Sequence, residues 1–301
     1  MRTYPAFFPF ACAITVGSIS WTAILQPADL VGAEFPSLGS PSARSRSATL
    51  QISRDRLSGK VQVSWSGQGV LKQSATLSGR FKPAHVGGRA HITDPEGEQM
   101  VYRLESASSP IFSANIVGYV NLQLPHGLSL IANPLLAEEN TVGALFPEAP
   151  DGTQVLKYVP GVGYEVSTFD GLGPGWTNPE MDLSPGVGFF YDNPSSTSVL
   201  HTFIGEVRLG TLVNHLPAGF STKGALLPQA GSINDVQGIP GQPGDVIRLY
   251  ENDSSGGGGY VTSVFSATEN AWVPDQILHV GQGFVSEKQN AQDWVRVFTL
   301  P

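Results

Sequence analysis

Side chains that could perform catalysis occur in this chain, but their spacing matches no established catalytic motif. A serine hydrolase holds its nucleophile in Gly-x-Ser-x-Gly, on a strained turn between a strand and a helix. The nearest segment, Gly219-Phe-Ser221-Thr-Lys-Gly224, misses this spacing by one residue, so Ser221 is interpreted as an ordinary strand residue. An acidic protein exposes many carboxylates, and those that could be sought for acid–base catalysis are dispersed: Asp170, Glu180, Asp182 and Glu206. We therefore expect no catalytic residue.

The potential metal ligands are also poorly arranged. Metal sites need ligands that converge, commonly at short spacings such as HxH or HExxH, and the histidines are scattered: His85, His91, His126, His201, His215 and His279. The segments Asp94-Pro-Glu-Gly-Glu98 and Glu251-Asn-Asp253 offer oxygen ligands to calcium. Neither has EF-hand spacing, so solvated turns explain them better. We expect no bound metal and no cofactor.

Trp176 and Trp272 are the strongest candidates for contact with a ligand. Flat aromatic faces on a β-sandwich can stack on sugar rings, which would make this a carbohydrate-binding protein. The two tryptophans recur at equivalent positions of the internal repeat described below. Because such a recurrence is expected equally if each indole anchors the core of its own unit, we favour a core role for both.

The composition limits the class of protein. The chain has 301 residues, enough for two or three domains. Only 14% of the residues are charged, and 35 glycines and 23 prolines suit many short strands joined by tight turns. The net charge is -8 at pH 7 and no basic residues cluster on one face. This pattern argues against nucleic acid and against an anionic membrane surface as partners.

Residues 1–33 are predicted to be a signal peptide. Arg2 supplies a positive end, residues 6–25 carry no charge, and Val31-Gly32-Ala33 offers a small-residue exit, with cleavage expected between Ser20 and Ala33. Left uncleaved, a segment of this length could anchor the protein in a membrane. Cys12 is the only cysteine, and the sequence before it is a poor approach to a lipidated cysteine. The exported protein would therefore have no disulfides and would depend on core burial.

The rest of the chain divides at two polar segments rich in small residues. Residues 34–47 (EFPSLGSPSARSRS) and residues 105–116, which begin ESASSP, are predicted linkers. Between them, residues 48–104 are predicted to form a small β-sandwich-like module. Its clearest strand signal is the alternation of Val61, Val63 and Trp65 with polar residues, as in a half-buried strand.

An internal repeat occupies the remainder. The segment Gly118-Tyr-Val-Asn-Leu-Gln-Leu-Pro125 matches Gly210-Thr-Leu-Val-Asn-His-Leu-Pro217 at an offset of 92 residues. After the insertion DSSGGGG the offset is 96, which pairs Gly163-Tyr164 with Gly259-Tyr260, and later it is 95. Residues 117–207 and 208–301 are therefore predicted to be two tandem copies of one β-sandwich or barrel-like unit.

The expected fold is all-β, with one brief helix or turn in each copy. These segments lie near residues 140–146 and 232–239, and Asn140 and Ser232 are candidate N-caps. Pro147 and Pro240 would end whatever forms there.

The sequence resembles β modules of secreted proteins from Planctomycetes and Verrucomicrobia-like bacteria. The resemblance rests on Gly127-Leu-Ser-Leu-Ile-Ala-Asn-Pro134 and Ser184-Pro-Gly-Val-Gly-Phe-Phe190, although the second copy has Ser221-Thr-Lys-Gly224 in place of the apolar strand. Residues 63–71 (VSWSGQGVL), with the closing Val101-Tyr-Arg-Leu104, resemble a short β module near the ends of large extracellular proteins in the same bacteria. The resemblance implies export and β structure but no activity.

These observations predict a secreted, non-catalytic structural or interaction protein of the bacterial surface or extracellular space. Its partners would be an extracellular polysaccharide or other surface proteins. A carbohydrate-binding protein that uses exposed aromatic residues is the alternative, and a secreted hydrolase is a remote third.

Overall fold

The computed structural model describes residues 48–85, 88–106, 113–253, 255 and 257–300, and these form a nearly all-β protein. Strand residues make up 52% and helical residues 2%, which confirms the predicted fold class. Within these residues, no helix combines the length and the apolar character that crossing a membrane requires. The predicted signal peptide (1–33) and first linker (34–47) lie outside the described residues.

The first strands of the chain contribute to two packed layers. A three-stranded antiparallel sheet contains β1 (Leu50–Arg54), β2 (Val61–Trp65) and β5 (Ala90–Thr93), with β2 in the centre. The alternation predicted for β2 is confirmed, because Val61, Val63 and Trp65 are buried while Gln62 is exposed. These side chains pack on Tyr102 and other residues of a second sheet.

The second sheet extends across the predicted linker at 105–116. It contains β3 (Val70–Ser74), β4 (Lys82–His85), β6 (Gln99–Glu105), β7 (Ile116–Leu124) and β13 (Val199–Val207), in the order β13-β7-β6-β3-β4. Strands β6 and β7 pair directly, from Gln99 opposite Val120 to Tyr102 opposite Val117. Residues 48–104 therefore share a sheet with residues 117–207.

A third sheet encloses the core of residues 117–207. It contains β8 (Gly127–Ile131), β9 (Gln154–Val159), β10 (Gly163–Asp170), β11 (Gly175–Trp176) and β12 (Phe189–Asn193), in the order β11-β10-β9-β12-β8. Phe146, Phe189 and Phe203 are almost fully buried between this sheet and the second. Because successive side chains of a strand point to opposite faces of the sheet, the apolar residues at alternate positions lie on the face that covers this core.

The short helix predicted near residue 140 is present, but its cap differs from the prediction. The helix α1 (Val142–Leu145) is one turn long, and the Oγ1 atom of Thr141 accepts a hydrogen bond from Ala144 N at 3.4 Å. The expectation that Asn140 is the N-cap is wrong, because its side chain closes the preceding loop through two hydrogen bonds to Ala137. Ser232 begins a turn, and its Oγ accepts from Asp235 N at 3.0 Å.

Residues 208–301 contain a strand arrangement that parallels that of residues 117–207. Strand β14 (Gly210–Leu216) pairs with β22 (Gln292–Phe298), and β16 (Gly231–Ser232) pairs with β20 (Ile277–Leu278). A five-stranded sheet contains β15 (Gly219–Gly224), β17 (Val246–Asn252), β18 (Gly258–Ser266), β19 (Ala271–Val273) and β21 (Gly283–Lys288), in the order β15-β21-β17-β18-β19. Its core includes Trp272, Phe284 and Trp294.

The two halves contact each other reciprocally. Isolated β-bridges join Ile131 to Gln282 and Val187 to Lys223. Because the sequence offsets align Ile131 with Lys223 and Val187 with Gln282, exchanging the halves converts one bridge into the other. Two backbone hydrogen bonds are related by the same exchange of aligned residues: Ala132 N donates to Gly281 O (2.9 Å), and Gly224 N donates to Gly186 O (3.1 Å). Such contacts suit two similar units about an approximate twofold axis, while the duplication itself stays a prediction.

Glycine is required at two positions where the halves approach each other closely. A Cβ atom on Gly188 would lie 2.5 Å from the carbonyl oxygen of Lys223, and one on Gly283 would lie 2.8 Å from that of Ile131. The two glycines occupy aligned positions of the repeat. Any larger residue at either site would push the bridged strands apart.

A hydrophobic layer joins the third sheet, which contains β8 to β12, face to face with the five-stranded sheet of residues 208–301. Its centre consists of Leu130, Phe190 and Val285, which are 3%, 5% and 1% exposed, and we call this layer the sheet junction. Leu128, Leu156, Phe220 and Tyr250 pack around it. The junction brings surface residues of both halves together at its margin.

Candidate functional site

Trp176 and Trp272 lie in the cores and do not present their faces to a ligand. They are 6% and 1% exposed, respectively. Each indole Nε1 donates a hydrogen bond to a backbone carbonyl, Trp176 to Phe146 O at 2.6 Å and Trp272 to Ile239 O at 2.8 Å. Their recurrence in the repeat is thus explained by packing, and a glycan site must be sought elsewhere.

Most of the side chains considered above for catalysis take part in strand pairing or in local hydrogen bonds. Ser221 is 2% exposed and sits in the ladder between β15 and β21. Asp170 and Asp182 close turns by accepting from Leu172 N and Ser184 N, and Glu206 accepts from Asn115 Nδ2 at 2.6 Å. Glu180 is exposed. These side chains are not brought together as a catalytic group.

The possible calcium and histidine ligands are likewise dispersed. Asp253 Oδ1 accepts hydrogen bonds from Ser255 and from Gly257 N, which hold the pKa of its carboxyl below the usual value. Asp94 pairs with Lys60 at 3.2 Å. Across the part of the chain that the structure describes, no three His, Cys, Asp or Glu side chains converge as a metal site would require.

Six aromatic side chains form a continuous series of ring contacts that runs through the sheet junction to its margin. In order of contact they are Phe220, Tyr158, Tyr164, Phe190, Tyr250 and Tyr260, and we call them the aromatic strip. Successive ring centroids are 4.6, 5.4, 6.2, 5.7 and 5.3 Å apart. Three of the rings come from each of the two five-stranded sheets that meet there. The strip therefore exists only because the two sheets pack together.

Tyr164 and Tyr260 are the exposed members of the strip. They are 46% and 47% exposed, and the repeat aligns them. Partial burial raises the pKa of both hydroxyls, and the charge that ionised Tyr260 would carry raises the pKa of Tyr164 further. Both phenols therefore stay neutral at pH 7. Each presents a flat apolar ring and a hydroxyl that can donate and accept hydrogen bonds.

A second surface feature is an open groove with a volume of about 1660 Å³. It lies between β1 on one side and residues 136–150, which include α1, on the other, and β13 runs along it. Its lining includes five glutamates and two arginines: Glu138, Glu139, Glu148, Glu180, Glu206, Arg54 and Arg56. Because the glutamates outnumber the arginines, the groove favours a cationic partner.

His201 is a buried neutral group beside this groove. It is 9% exposed, and its ring stacks on Phe146 with the centroids 4.3 Å apart. Burial, together with the charge of Arg54, lowers the pKa of His201 to about 3. The imidazole is therefore uncharged at neutral pH, and its Nε2 atom has no hydrogen-bond partner among the described residues.

The sequence contained a signal for the aromatic strip but none for the groove. Tyr164 and Tyr260 each follow a glycine at the start of an alternating strand, and the repeat pairs them. Alternation puts Tyr164 on the face opposite Ser167, which is buried. The groove, in contrast, combines segments separated by up to about 150 residues, which no local pattern connects.

Comparison with known proteins identified no relative. No protein-family model, no curated protein and no solved structure matches this chain.

Proposed function

We propose that this is an exported, non-catalytic interaction protein that acts at the cell surface or in the extracellular space. The observation that carries the proposal is the aromatic strip, of which Tyr164 and Tyr260 are the half-exposed members. Exposed aromatic side chains such as these two mark a site of interaction, because their burial against a partner is favourable. Export is supported by the uncharged residues 6–25 after Arg2.

A carbohydrate ligand is the second candidate, and the same strip favours it. Aromatic rings stack on the apolar faces of sugars, while the neutral hydroxyls of Tyr164 and Tyr260 can bond to sugar hydroxyls. The two half-exposed rings of the strip can each stack on one sugar unit of a polysaccharide chain. Binding would then need no catalytic group.

The strip is tested by affinity electrophoresis of the full protein in gels that contain soluble polysaccharides. We expect the double substitution Tyr164→Ala, Tyr260→Ala to weaken retention by about tenfold or more, because aromatic anchors dominate such interfaces. Leu172→Ala is the matched control, since Leu172 is 98% exposed and lies outside the strip. If the double variant and the Leu172→Ala control were retained equally, the strip would have no role in binding. If none of the polysaccharides retarded the unaltered protein, each of those tested would be excluded as a ligand.

Export and the lack of catalysis have separate tests. Sequencing the amino terminus of protein recovered outside the cell should give a start between Ser20 and Ala33, and an intact Met1 in the cytoplasmic fraction would contradict export. Hydrolysis of a polysaccharide that persists through repurification would contradict the non-catalytic assignment.

A further inference from the structure

Strand β13 has an open edge that faces the groove. It is the last strand of its sheet and pairs on one side with β7. On the other side only Leu136 pairs with it among the described residues, through Leu136 N to Glu206 O (2.9 Å) and Glu206 N to Leu136 O (2.8 Å). The backbone groups of Glu206 therefore point away from β7.

The same orientation applies to every second residue of β13. In an antiparallel ladder, successive residues direct their backbone groups alternately to one neighbour and to the other. The N–H and C=O groups of Leu200, Thr202 and Ile204 consequently point into the groove. No strand in the described part of the chain pairs with them there.

The loop that begins this pairing turns away after one residue. Asn140 ties its side chain to Ala137 N (3.2 Å) and Ala137 O (3.1 Å), and Thr141 then caps α1. The loop thus forms a wall of the groove and leaves the edge of β13 free. Thr202 is only 5% exposed, so its outward backbone groups lie at the bottom of the groove.

The charge of the groove defines the partner further. Glu138, Glu139, Glu148 and Glu180 are exposed and form no ion pair with any described residue. A strand laid along β13 would pass beside the wall of the groove that carries these carboxylates. Basic side chains on that strand would therefore find unpaired counter-charges.

We propose that the groove binds a basic peptide segment in extended conformation, which adds to the sheet as an antiparallel strand beside β13. The peptide continues the pairing that Leu136 begins and satisfies the backbone groups of Leu200, Thr202 and Ile204. Affinity comes from main-chain hydrogen bonds and selectivity from the alternate side chains, as in other cases of strand addition. A peptide is favoured over a glycan because only a peptide backbone repeats donors and acceptors at the spacing of the ladder. The proposal does not depend on the aromatic strip.

The probe is a fluorescent peptide, Lys-Thr-Lys-Val-Lys-Thr-Lys-Val-Lys, and binding to the full protein is followed by fluorescence anisotropy. Leu200→Pro removes an outward N–H, and proline is tolerated at such an edge because that N–H makes no ladder bond. We expect Leu200→Pro to weaken binding by about tenfold or more, the change expected when one or two backbone hydrogen bonds are lost. Leu200→Thr keeps the N–H and should bind as the unaltered protein does.

Two further measurements keep the test decisive if Leu200→Pro fails to fold. The probe peptide is N-methylated at alternate residues in each of the two registers, and only one register should abolish binding to the unaltered protein. The double substitution Glu138→Gln, Glu139→Gln should weaken binding and reduce its salt dependence. The proposal would be overturned if the peptide did not bind, or if both N-methylated peptides bound equally. It would also be overturned if a linear polysaccharide displaced the peptide while Leu200→Pro left peptide binding unchanged.

Discussion

Replacing Trp272 by alanine is expected to lower the free energy of unfolding by about 3–5 kcal/mol, the range for a large aromatic residue removed from a core. Trp272 is 1% exposed and meets the ring of Phe265 edge-on at 5.3 Å. Its indole also donates to Ile239 O, and the ammonium group of Lys288 lies 4.9 Å from the ring centroid. The substitution would therefore leave a cavity, an unpaired carbonyl and a buried cation without its aromatic neighbour.

Urea denaturation followed by far-ultraviolet circular dichroism measures this loss. The control is Tyr164→Ala, which should cost no more than about 1 kcal/mol because Tyr164 is 46% exposed. If Trp272→Ala destabilised the protein no more than Tyr164→Ala does, the assignment of this indole to the core would be wrong.

Lys288→Met is expected to destabilise the protein by a similar amount, about 3–5 kcal/mol, because it removes one partner of a buried ion pair. The Nζ atom of Lys288 lies 3.0 Å from Asp245 Oδ2, and neither side chain has any solvent exposure. Asp245 also accepts hydrogen bonds from Gln242 N and Gln289 N. Without the ammonium group the carboxylate would remain buried and uncompensated.

The double variant Lys288→Met, Asp245→Asn separates charge from packing. Asparagine keeps an oxygen acceptor for Gln289 N but carries no charge, so the double variant should be more stable than Lys288→Met by about 1–2 kcal/mol. A double-mutant cycle with denaturation as the readout tests this. Simple additivity of the two single substitutions would show that the pair does not interact as described.

Local sequence signals were sufficient to predict the all-β fold class and the buried face of one strand. The alternation of Val61, Val63 and Trp65 predicted one buried face of β2, and the structure buries all three. Gly127 and Gly219 begin aligned strands, and both have positive φ, 80° and 77°, which residues other than glycine rarely adopt. Such features depend on a residue and its near neighbours, and so they can be read from the sequence.

Features that depend on distant segments could not be predicted. Nothing local indicates that β6 pairs with β7, because the polar segment between them resembles a linker. Asn140 and Thr141 are both good N-cap residues, and only the path of the loop decides that Thr141 is the cap. The recurring tryptophans were compatible with either a core or a ligand, and only their burial distinguishes the two roles.

The sheet junction is the feature on which the functional account depends. The packing of Leu130, Phe190 and Val285 brings three aromatic rings from each half into the strip. The reciprocal bridges between the halves are compatible with the predicted duplication, which stays a prediction. Without this packing, Tyr164 and Tyr260 would belong to separate surfaces.

The most direct test of the junction is a disulfide between its two halves. Val187 and Lys223 are partners in a β-bridge, an arrangement that brings Cα atoms to about 4.5–5.5 Å, within the range for a disulfide. In a Cys12→Ser background, with each single cysteine variant as a control, Val187→Cys, Lys223→Cys should form an intramolecular disulfide, identified by mass spectrometry of the linked peptides. Free thiols under oxidising conditions, or links only between molecules, would contradict the account.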